Sequence, residues 1–186
     1  VILYQVVRVK KMGLAVKMSK RQGEFITARE VLDLVGRDVF RFFLLMSAPE
    51  SHMDFDLDLA TKKANDNPVF YVQYANSRIA SIFKKTEQDF SSSNTSLLKE
   101  KEEILLIRHL TKFPDLVEDI SQNFSVHWLT AYAYDLANLF HKFYETHTVL
   151  SEDKEKSKAR LALLKAAQTV LKETLDLLGV SSPEKM

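Results

Sequence analysis

The sequence predicts a mostly α-helical protein, a helical bundle with short connections that follows one short strand and a basic loop. Signals that start a helix recur along the chain. Beyond residue 23, no segment outside the loops alternates convincingly between apolar and polar residues, as a half-buried strand would. Several helices joined by short connections most often form a bundle.

The first part of the chain combines an apolar segment with short helices. Val1–Val9 has the composition of a buried strand, although only weak candidates for its partner strands follow. A capping box, Thr27-Ala28-Arg29-Glu30, starts a short helix that ends at Gly36. A second apolar helix is predicted around residues 39–46. Residues 47–59 are predicted to form a loop that leads into another helix.

The rest of the chain is predicted to be helical with few interruptions. Asn67-Pro68 is a strong helix start, because asparagine caps a helix and proline suits its first position. This helix is expected to run to about Glu87, and residues 90–96 form a flexible linker. The remaining predicted helices are 97–112, 114–122, 126–150 with Ser125 as its cap, and 156–178 with Gly179 at its end.

The composition excludes several functional classes. The 186 residues include no cysteine, which excludes disulfides, a thiol nucleophile and a thiolate metal site. The five histidines lack metal-ligand spacing, and no apolar run approaches the roughly 18–20 residues that span a bilayer. Asp54, Asp56 and Asp58 are interpreted as carboxylates at a helix start, because no oxygen-rich loop with glycine accompanies them. A cytoplasmic protein without bound metal or membrane contact is expected.

Charge is distributed unevenly along the chain. The net charge is +1, but residues 1–23 hold six basic residues and no acidic one, which leaves 20 basic and 25 acidic residues elsewhere. The total charge therefore predicts no general attraction to nucleic acid, and any RNA binding has to come from local patches.

Within the basic segment, Lys17-Met18-Ser19-Lys20-Arg21 carries the clearest chemical signal. Two ammonium groups three residues apart, on a loop with glycine and serine, suit a polyphosphate whose charge grows as it is cleaved. A solvated basic loop is the alternative, since short motifs give many false positives.

This pentapeptide resembles the second signature of class I aminoacyl-tRNA synthetases, and further blocks resemble the arginyl-tRNA synthetase family. They occur in the family's order and cover essentially the whole chain. The most distinctive is Asn67-Pro68-Val69-Phe70-Tyr71-Val72-Gln73-Tyr74-Ala75-Asn76-Ser77-Arg78-Ile79. The others are residues 27–38, 41–44, 51–58, 159–164 and 183–186.

The resemblance implies a division of the chain and a role for it. Residues 1–64 would be the end of a catalytic domain, with the signature loop and stem-contact helices. Residues 65–186 would form an α-helical anticodon-binding domain. The family's nucleotide-binding α/β core and its His-Ile-Gly-His-like signature have no counterpart here, so the chain is expected to be a C-terminal fragment of a bacterial-type enzyme.

The family activates arginine with ATP and Mg²⁺ and transfers it to arginine tRNA, and the resemblance assigns the loop residues to this chemistry. Lys17 and Lys20 would be catalytic, neutralising the phosphates as the adenylate forms. Met18, Ser19 and Arg21 would complete the ATP-binding loop with them. The fragment itself is expected to bind no metal ion.

Three residues of the predicted 67–87 helix suit single-stranded RNA. Tyr71, Tyr74 and Arg78 fall at i, i+3 and i+7, within about 60° of one another on one edge. Unstacked bases stack on aromatic rings, and arginine pairs with phosphates or base edges. From the residues alone, core tyrosines with satisfied hydroxyl groups would be the preferred alternative. The family resemblance favours tRNA contact.

The resemblance also implies tRNA contact for Tyr144 and for the terminal Met186. Tyr144 lies at the rim of an apolar stripe that core packing explains. Trp128 and Tyr134 are interpreted as packing residues, and His141 as a surface or capping group. The stripe itself consists of Leu129, Tyr132, Ala133, Leu136, Phe140 and Phe143.

Three other functions stay open at this point. The chain could be a free-standing RNA-binding module without catalysis, although such a module has no need of an ATP loop. It could be a protein-interaction bundle, which salt-dependent RNA binding would exclude. It could also belong to a class I synthetase of another amino-acid specificity. A monomer is expected.

We predict that this chain alone forms no arginyl-adenylate, because the arginine pocket and the nucleotide-binding core are absent from it. The measurement is arginine-dependent exchange of pyrophosphate into ATP, with and without arginine tRNA. Exchange above the level of a Lys17→Ala/Lys20→Ala variant would contradict the prediction.

Overall fold

The computed structural model describes residues 2–16 and 26–186. The predicted ATP-binding loop, Lys17–Arg21, lies outside the described residues, and its roles stay predictions. The strands are β1 Val7–Lys11, β2 Leu14–Ala15 and β3 Met53–Asp56. The helices are α1 Ala28–Val35, α2 Arg37–Leu45, α3 Leu57–Thr61, α4 Pro68–Phe83, α5 Lys101–Leu110, α6 Phe113–Asn123, α7 His127–Thr146 and α8 Lys154–Leu178. A 3₁₀ turn, Thr95–Leu97, precedes α5.

The three strands form a small sheet in the order β2-β1-β3. β1 and β2 form an antiparallel hairpin whose turn holds two residues with positive φ, Met12 and Gly13. Such a turn matches the twist of the strands that it joins. β1 and β3 are parallel, with Val9 opposite Phe55, and α1 and α2 form the crossover that parallel strands require.

Two predictions for this region were wrong. The strand begins at Val7 rather than Val1, and the apolar side chains before it, such as Leu3 and Tyr4, are exposed. Residues 53–56 form a strand where a loop was predicted. Their alternation is the ordinary strand pattern, because Met53 and Phe55 are buried while Asp54 points outward.

Charge pairing fixes the outer face of the β1–β3 pair. The carboxylate of Asp54 accepts a hydrogen bond from Arg8 Nε at 2.8 Å and lies 2.6 Å from Lys10 Nζ. Asp56 caps α3 by accepting from the Leu59 amide at 3.0 Å, as a carboxylate at a helix start does. Asp58 accepts from the Met12 amide of the hairpin turn. The three carboxylates are thus engaged with neighbouring strands and helix ends.

The strongest helix signals in the sequence are confirmed. The capping box at Thr27 and Glu30 is formed, with the Glu30 amide 3.1 Å from Thr27 Oγ1. Asn67 is buried and caps α4, where its Oδ1 accepts from the Val69 amide at 3.0 Å. Its Nδ2 donates to the Lys62 carbonyl at 2.8 Å, which joins α4 to the end of α3.

Other helix boundaries differ from the prediction. Ser125 does not cap α7 with its side chain, and the helix begins at His127 after a turn closed by Asn123 Oδ1 and the Ser125 amide. α7 also ends at Thr146 rather than Leu150, because the chain becomes extended at His147. α4 ends at Phe83 rather than Glu87.

One hydrophobic core joins both parts of the chain. α7 and α8 pack on each other and on both α4 and α5, and α2 packs on α4, α7 and α8. Phe42 of α2 and Phe55 of β3 belong to the same buried cluster as Leu136, Leu164 and Leu171 of the bundle. The proposed domain division at residue 64 stays a prediction. No helix among residues 2–16 and 26–186 is both long and apolar enough to cross a membrane.

A buried carboxylate ties α5 to α8. Glu103 is fully buried, and its carboxylate accepts from Arg160 Nε at 2.8 Å and from Lys156 Nζ at 3.3 Å. It also accepts from the Glu100 amide at 3.0 Å. Arg160 Nη1 donates to the Thr148 carbonyl at 2.8 Å, which adds the α7–α8 connection. Burial by itself raises the pKa of Glu103, but these hydrogen bonds and charges together hold it below its ordinary value.

We predict that Glu103→Gln lowers the free energy of unfolding by about 3 kcal/mol, because it leaves buried Arg160 without its carboxylate partner and removes the nearer carboxylate of the partly exposed Lys156. Urea unfolding near pH 7 measures this, with the exposed Glu118→Gln of α6 as the matched control. Because the pKa of Glu103 is lowered in the folded protein, its carboxylate stabilises the fold fully above the unfolded-state pKa. This stabilisation is lost as the pH falls through the folded-state pKa. The difference between wild type and variant should therefore shrink on acidification below about pH 4.5. An equal effect of both substitutions would contradict the prediction.

Candidate nucleic-acid interface

Two helices, α4 and α7, bring four of the predicted tRNA-contact residues together at one margin of the bundle. Arg78 Nη2 donates to the hydroxyl of Tyr74 at 3.0 Å. The Arg78 guanidinium carbon lies 4.7 Å from the ring centroid of Tyr74 and 4.8 Å from that of Tyr144. The cation is therefore held between two aromatic rings, an arrangement that planar guanidinium groups favour. The shared edge predicted for Tyr71, Tyr74 and Arg78 is confirmed.

Tyr71 extends this group toward the middle of α7. Its ring centroid lies 4.6 Å from the ring of His141 and 5.3 Å from that of Tyr134. Its hydroxyl donates to Asn138 Oδ1 at 3.4 Å. Burial raises the pKa of the Tyr71 phenol, so it stays protonated and keeps this donor at neutral pH. We call Tyr71, Tyr74, Arg78, His141 and Tyr144 the aromatic cluster.

The tyrosines of the aromatic cluster lie at the margin of the hydrophobic core. Tyr71, Tyr74, Arg78 and Tyr144 are each partly exposed, so none is a fully buried core residue. Their apolar neighbours on α4, such as Val72 and Ile79, are buried. The rings thus keep solvent-accessible surface while the helix behind them is fixed by the core, which is what stacking on an unpaired base requires.

Sequence reasoning misjudged three residues of α7. His141 was interpreted as a surface or capping group, yet it is only 5% exposed and lies inside the aromatic cluster. Tyr134 is 42% exposed and Trp128 is 41% exposed, so neither is a buried packing residue. One available signal was spacing: His141 follows Tyr134 by seven residues and therefore lies on the same face, which turns toward Tyr71 of α4.

The last residues of the chain run along α4 and place Met186 beside the aromatic cluster. Fully buried Asn76 donates through Nδ2 to the carbonyls of Ser182 and Pro183, both at 2.9 Å. Ser77 Oγ donates to the Pro183 carbonyl at 2.7 Å. The C-terminal segment is therefore docked on α4. Met186 is itself exposed.

Met186 is linked to the aromatic cluster through Phe70 of α4. It lines a cavity of about 390 Å³ together with Leu34 of α1 and Phe70 of α4. The Phe70 ring stacks on Tyr74 with a centroid separation of 6.1 Å. Met186 therefore lies near a ring that stacks on the aromatic cluster, although it is not itself part of that cluster.

A hydrogen-bonded junction sits behind this surface. Gln73 Nε2 donates to Asp38 Oδ2 of α2 at 2.9 Å and to the Ser181 carbonyl at 3.0 Å. Arg41 of α2 donates to the carbonyl of Leu178 at the end of α8. A side chain at Gly179 would collide with that guanidinium, because a Cβ at this position would lie 2.5 Å from Arg41 Nε. The C-terminal segment is thus bound to both α2 and α4.

Comparison with known sequences places this geometry in a family. The family described as "tRNA synthetases class I (K)" matches residues 1–101. The family described as "DALR anticodon binding domain" matches residues 72–186, which include most of α4, all of α7 and α8, and the terminal segment. The chain belongs to the class I tRNA synthetases. Its helical bundle is a DALR anticodon-binding domain, which confirms the predicted fold class.

Individual relatives show which class I synthetases this chain is similar to in sequence. Arginine–tRNA ligases from Desulforamulus reducens and Dehalococcoides mccartyi are 43% identical over 192 residues and 47% identical over 188 residues. Both alignments include the whole chain, which spans 34% of the length of each relative. The chain is therefore homologous to the C-terminal region of arginine–tRNA ligases.

A solved structure agrees with this homology. An arginyl-tRNA synthetase structure from Campylobacter jejuni superimposes with a TM-score of 0.81 at 26% identity. The superposition covers 99% of this chain and 40% of that one. The strand–helix segment and the helical bundle therefore occur together in a synthetase in the same relative arrangement.

We predict that Asn76→Ala loosens the terminal segment without unfolding the bundle. The substitution removes two donors to backbone carbonyls, and lost hydrogen bonds of this kind cost about 1–2 kcal/mol. Hydrogen exchange monitored by mass spectrometry should show faster exchange in residues 180–186. Ser81→Ala, on the exposed side of the same helix, is the control and should leave that segment unchanged. Unaltered exchange in the Asn76 variant would contradict the role given to this amide.

Proposed function

We propose that this chain forms the anticodon-reading part of an arginine–tRNA ligase. The complete enzyme would activate arginine with ATP and Mg²⁺ and transfer it to arginine tRNA. The proposed ATP-side residues are Lys17 and Lys20, which would neutralise the phosphates, with Met18, Ser19 and Arg21 in the same loop. Sequence resemblance and homology to arginine–tRNA ligases support that assignment. We further propose that the complete enzyme is a cytoplasmic monomer.

The observation that carries the proposal is the Arg78 guanidinium held between Tyr74 and Tyr144 at an exposed margin of a DALR domain. An anticodon loop presents unpaired bases that can be splayed out and stacked on aromatic side chains. Base stacking on one aromatic residue contributes about 1–3 kcal/mol by alanine substitution. A guanidinium in this position adds fixed donors for a phosphate or a base edge.

Preorganisation is the second supporting argument. Ordering a flexible arginine on binding costs part of the interaction free energy. Here Arg78 already has the Tyr74 hydroxyl as an acceptor and two rings as stacking partners. Little further ordering is therefore needed when RNA binds, and the tyrosine rings are held in the same geometry by their contact with α7.

A cavity next to Tyr144 offers room for a nucleotide. Its volume is about 360 Å³, and its mixed polar and apolar walls include Ile82 of α4, Lys85 just after α4, Glu145 of α7 and Val149 beyond α7. The apolar side chains suit a base face, and the exposed Lys85 ammonium suits its phosphate. We propose that a base stacked beside Tyr144 has its phosphate directed to this lysine.

Titration of the 186-residue chain with an arginine tRNA transcript tests the proposal. We predict that Tyr71→Ala and Arg78→Ala each weaken binding by roughly tenfold, the loss expected from one stacking or charge-assisted contact. Trp128→Ala on α7 and Arg108→Ala on α5 are matched controls, because both residues are exposed and outside the aromatic cluster. Changing the central anticodon base of the tRNA should cause a loss similar to that of the variants.

The same experiment measures how RNA affinity depends on salt and whether each variant is folded. The affinity should fall as salt rises, because phosphate contacts release counterions. Circular dichroism melting should show that each variant is folded. Equal binding of both tRNAs, untouched by the cluster variants, would overturn anticodon reading and leave only non-specific attraction to the basic residues. Binding that is independent of salt would favour a protein-interaction bundle instead.

A further inference from the structure

The buried His141 of the aromatic cluster has only one protonation state that is compatible with its two hydrogen-bonding neighbours. His141 Nε2 lies 3.4 Å from the backbone carbonyl oxygen of Tyr71, and its Nδ1 lies 3.4 Å from Arg78 Nη1. A carbonyl can only accept, and a guanidinium can only donate. Nε2 must therefore carry the proton, while Nδ1 offers its lone pair to Arg78. A neutral imidazole in this one tautomer satisfies both neighbours.

The surroundings of the ring fix it in place. It packs between the rings of Tyr71 and Tyr74, at centroid distances of 4.6 and 5.8 Å, and against Phe140 of its own helix at 5.3 Å. With 5% exposure it cannot turn toward solvent without breaking these contacts. Through Nδ1 it holds the same guanidinium that sits between Tyr74 and Tyr144.

Resting on the proposed function, we propose that His141 is the positioning residue of the RNA-binding arginine and that its protonation releases Arg78 from the aromatic cluster. A second proton would have to bind to Nδ1. The imidazolium would then present an N–H donor and a positive charge to the Arg78 guanidinium, which is itself a donor and a cation, so the two groups would repel each other. Arg78 would lose one of its fixed contacts and move away from the base-stacking position. RNA affinity should therefore decrease on acidification.

The groups around His141 determine where this change occurs. Arg78 on α4 opposes a positive charge on the ring, and Glu145 on α7 favours it, while the phenols of Tyr71 and Tyr74 flank the ring without charge. Burial is the largest effect and lowers the pKa of His141. The hydrogen bond to the Tyr71 carbonyl raises it by less, and the still smaller effects of Arg78 and Glu145 lower and raise it, respectively. The neutral form thus prevails at physiological pH, and protonation requires acid conditions.

The direction of the expected pH effect separates it from ordinary electrostatics. Acidification makes any protein more positive and usually strengthens its attraction to RNA. Loss of Arg78 from the aromatic cluster acts in the opposite direction. A decrease of affinity in acid is therefore specific to a positioning device of this kind.

Two substitutions of His141 test the proposal in the full 186-residue chain. His141→Gln keeps an acceptor for Arg78 and a donor for the Tyr71 carbonyl but cannot titrate. His141→Phe keeps an aromatic ring between the two tyrosines but offers no acceptor. His52→Gln is the control, since His52 is an exposed histidine outside the aromatic cluster. The ligand is an RNA hairpin with the anticodon stem and loop of arginine tRNA, titrated between about pH 7.5 and pH 5.0.

We expect wild type and His52→Gln to bind roughly fivefold more weakly at the acid end than at neutral pH, the loss expected for one contact to a charged group. The affinity of His141→Gln should change much less between about pH 7.5 and pH 5.0 than that of wild type, because glutamine does not titrate. His141→Phe should bind weakly at every pH while melting near the wild-type temperature. Nitrogen-15 chemical shifts should show the Nε2–H tautomer in the free protein.

Each outcome supports or overturns the assignment. Parallel pH profiles for wild type and His141→Gln, or full affinity in His141→Phe, would overturn the positioning role. The proposed function itself fails differently, through equal binding of hairpins with the correct and the changed anticodon. If His141→Phe does not fold, the comparison of wild type with His141→Gln and the nitrogen-15 tautomer still decide the question.

Discussion

The close packing of α4 against α7 is the constraint on which the rest of the candidate interface depends. Ala75 on α4 and Ala133 and Ala137 on α7 are fully buried, and small side chains allow helices to approach closely. Across this contact Arg78 reaches the ring of Tyr144, and Tyr71 reaches Tyr134. Replacing one of these alanines with a bulky residue would therefore push α4 and α7 apart and separate Arg78 from Tyr144, even if the bundle kept its overall fold.

Buried polar groups then set the geometry within this frame. Glu103 orients α5 on α8, Asn76 holds the terminal segment on α4, and His141 holds Arg78. Groups of this kind add little net stability when they are satisfied, but each disfavours any arrangement that leaves it unpaired. The bundle therefore relies on apolar contacts for its stability and on a few polar ones for its detailed shape.

Local signals explain which parts of the fold were predictable. The starts at Thr27 and Asn67 and the end at Gly179 follow from side chains or backbone freedom within one turn of the helix, so they could be read directly. The family resemblance, together with helix periodicity, brought Tyr71 and Arg78 into one group. Strand β3 was missed because four residues give too short an alternation, and its pairing with β1 depends on residues more than 40 positions away.

The candidate site shows the same limit. The burial of His141 depends on Tyr71 and Arg78 of another helix, and no pattern within α7 specifies those partners. Trp128 is likewise 41% exposed although it precedes the buried Leu129, and its sequence neighbours do not predict this. Tertiary neighbours, rather than local sequence, determine both outcomes.

The contacts that hold the terminal segment on α4 also determine which sequence changes that segment tolerates. Asn76 and Ser77 bond to the backbone carbonyls at positions 182 and 183, and any residue supplies a carbonyl. Substitutions at these two positions are therefore tolerated by the anchoring contacts. An insertion or deletion of one residue before position 186 would instead displace Met186 by about 3.3 Å along the helix surface. Selection should accordingly preserve the length of the segment more strictly than its composition.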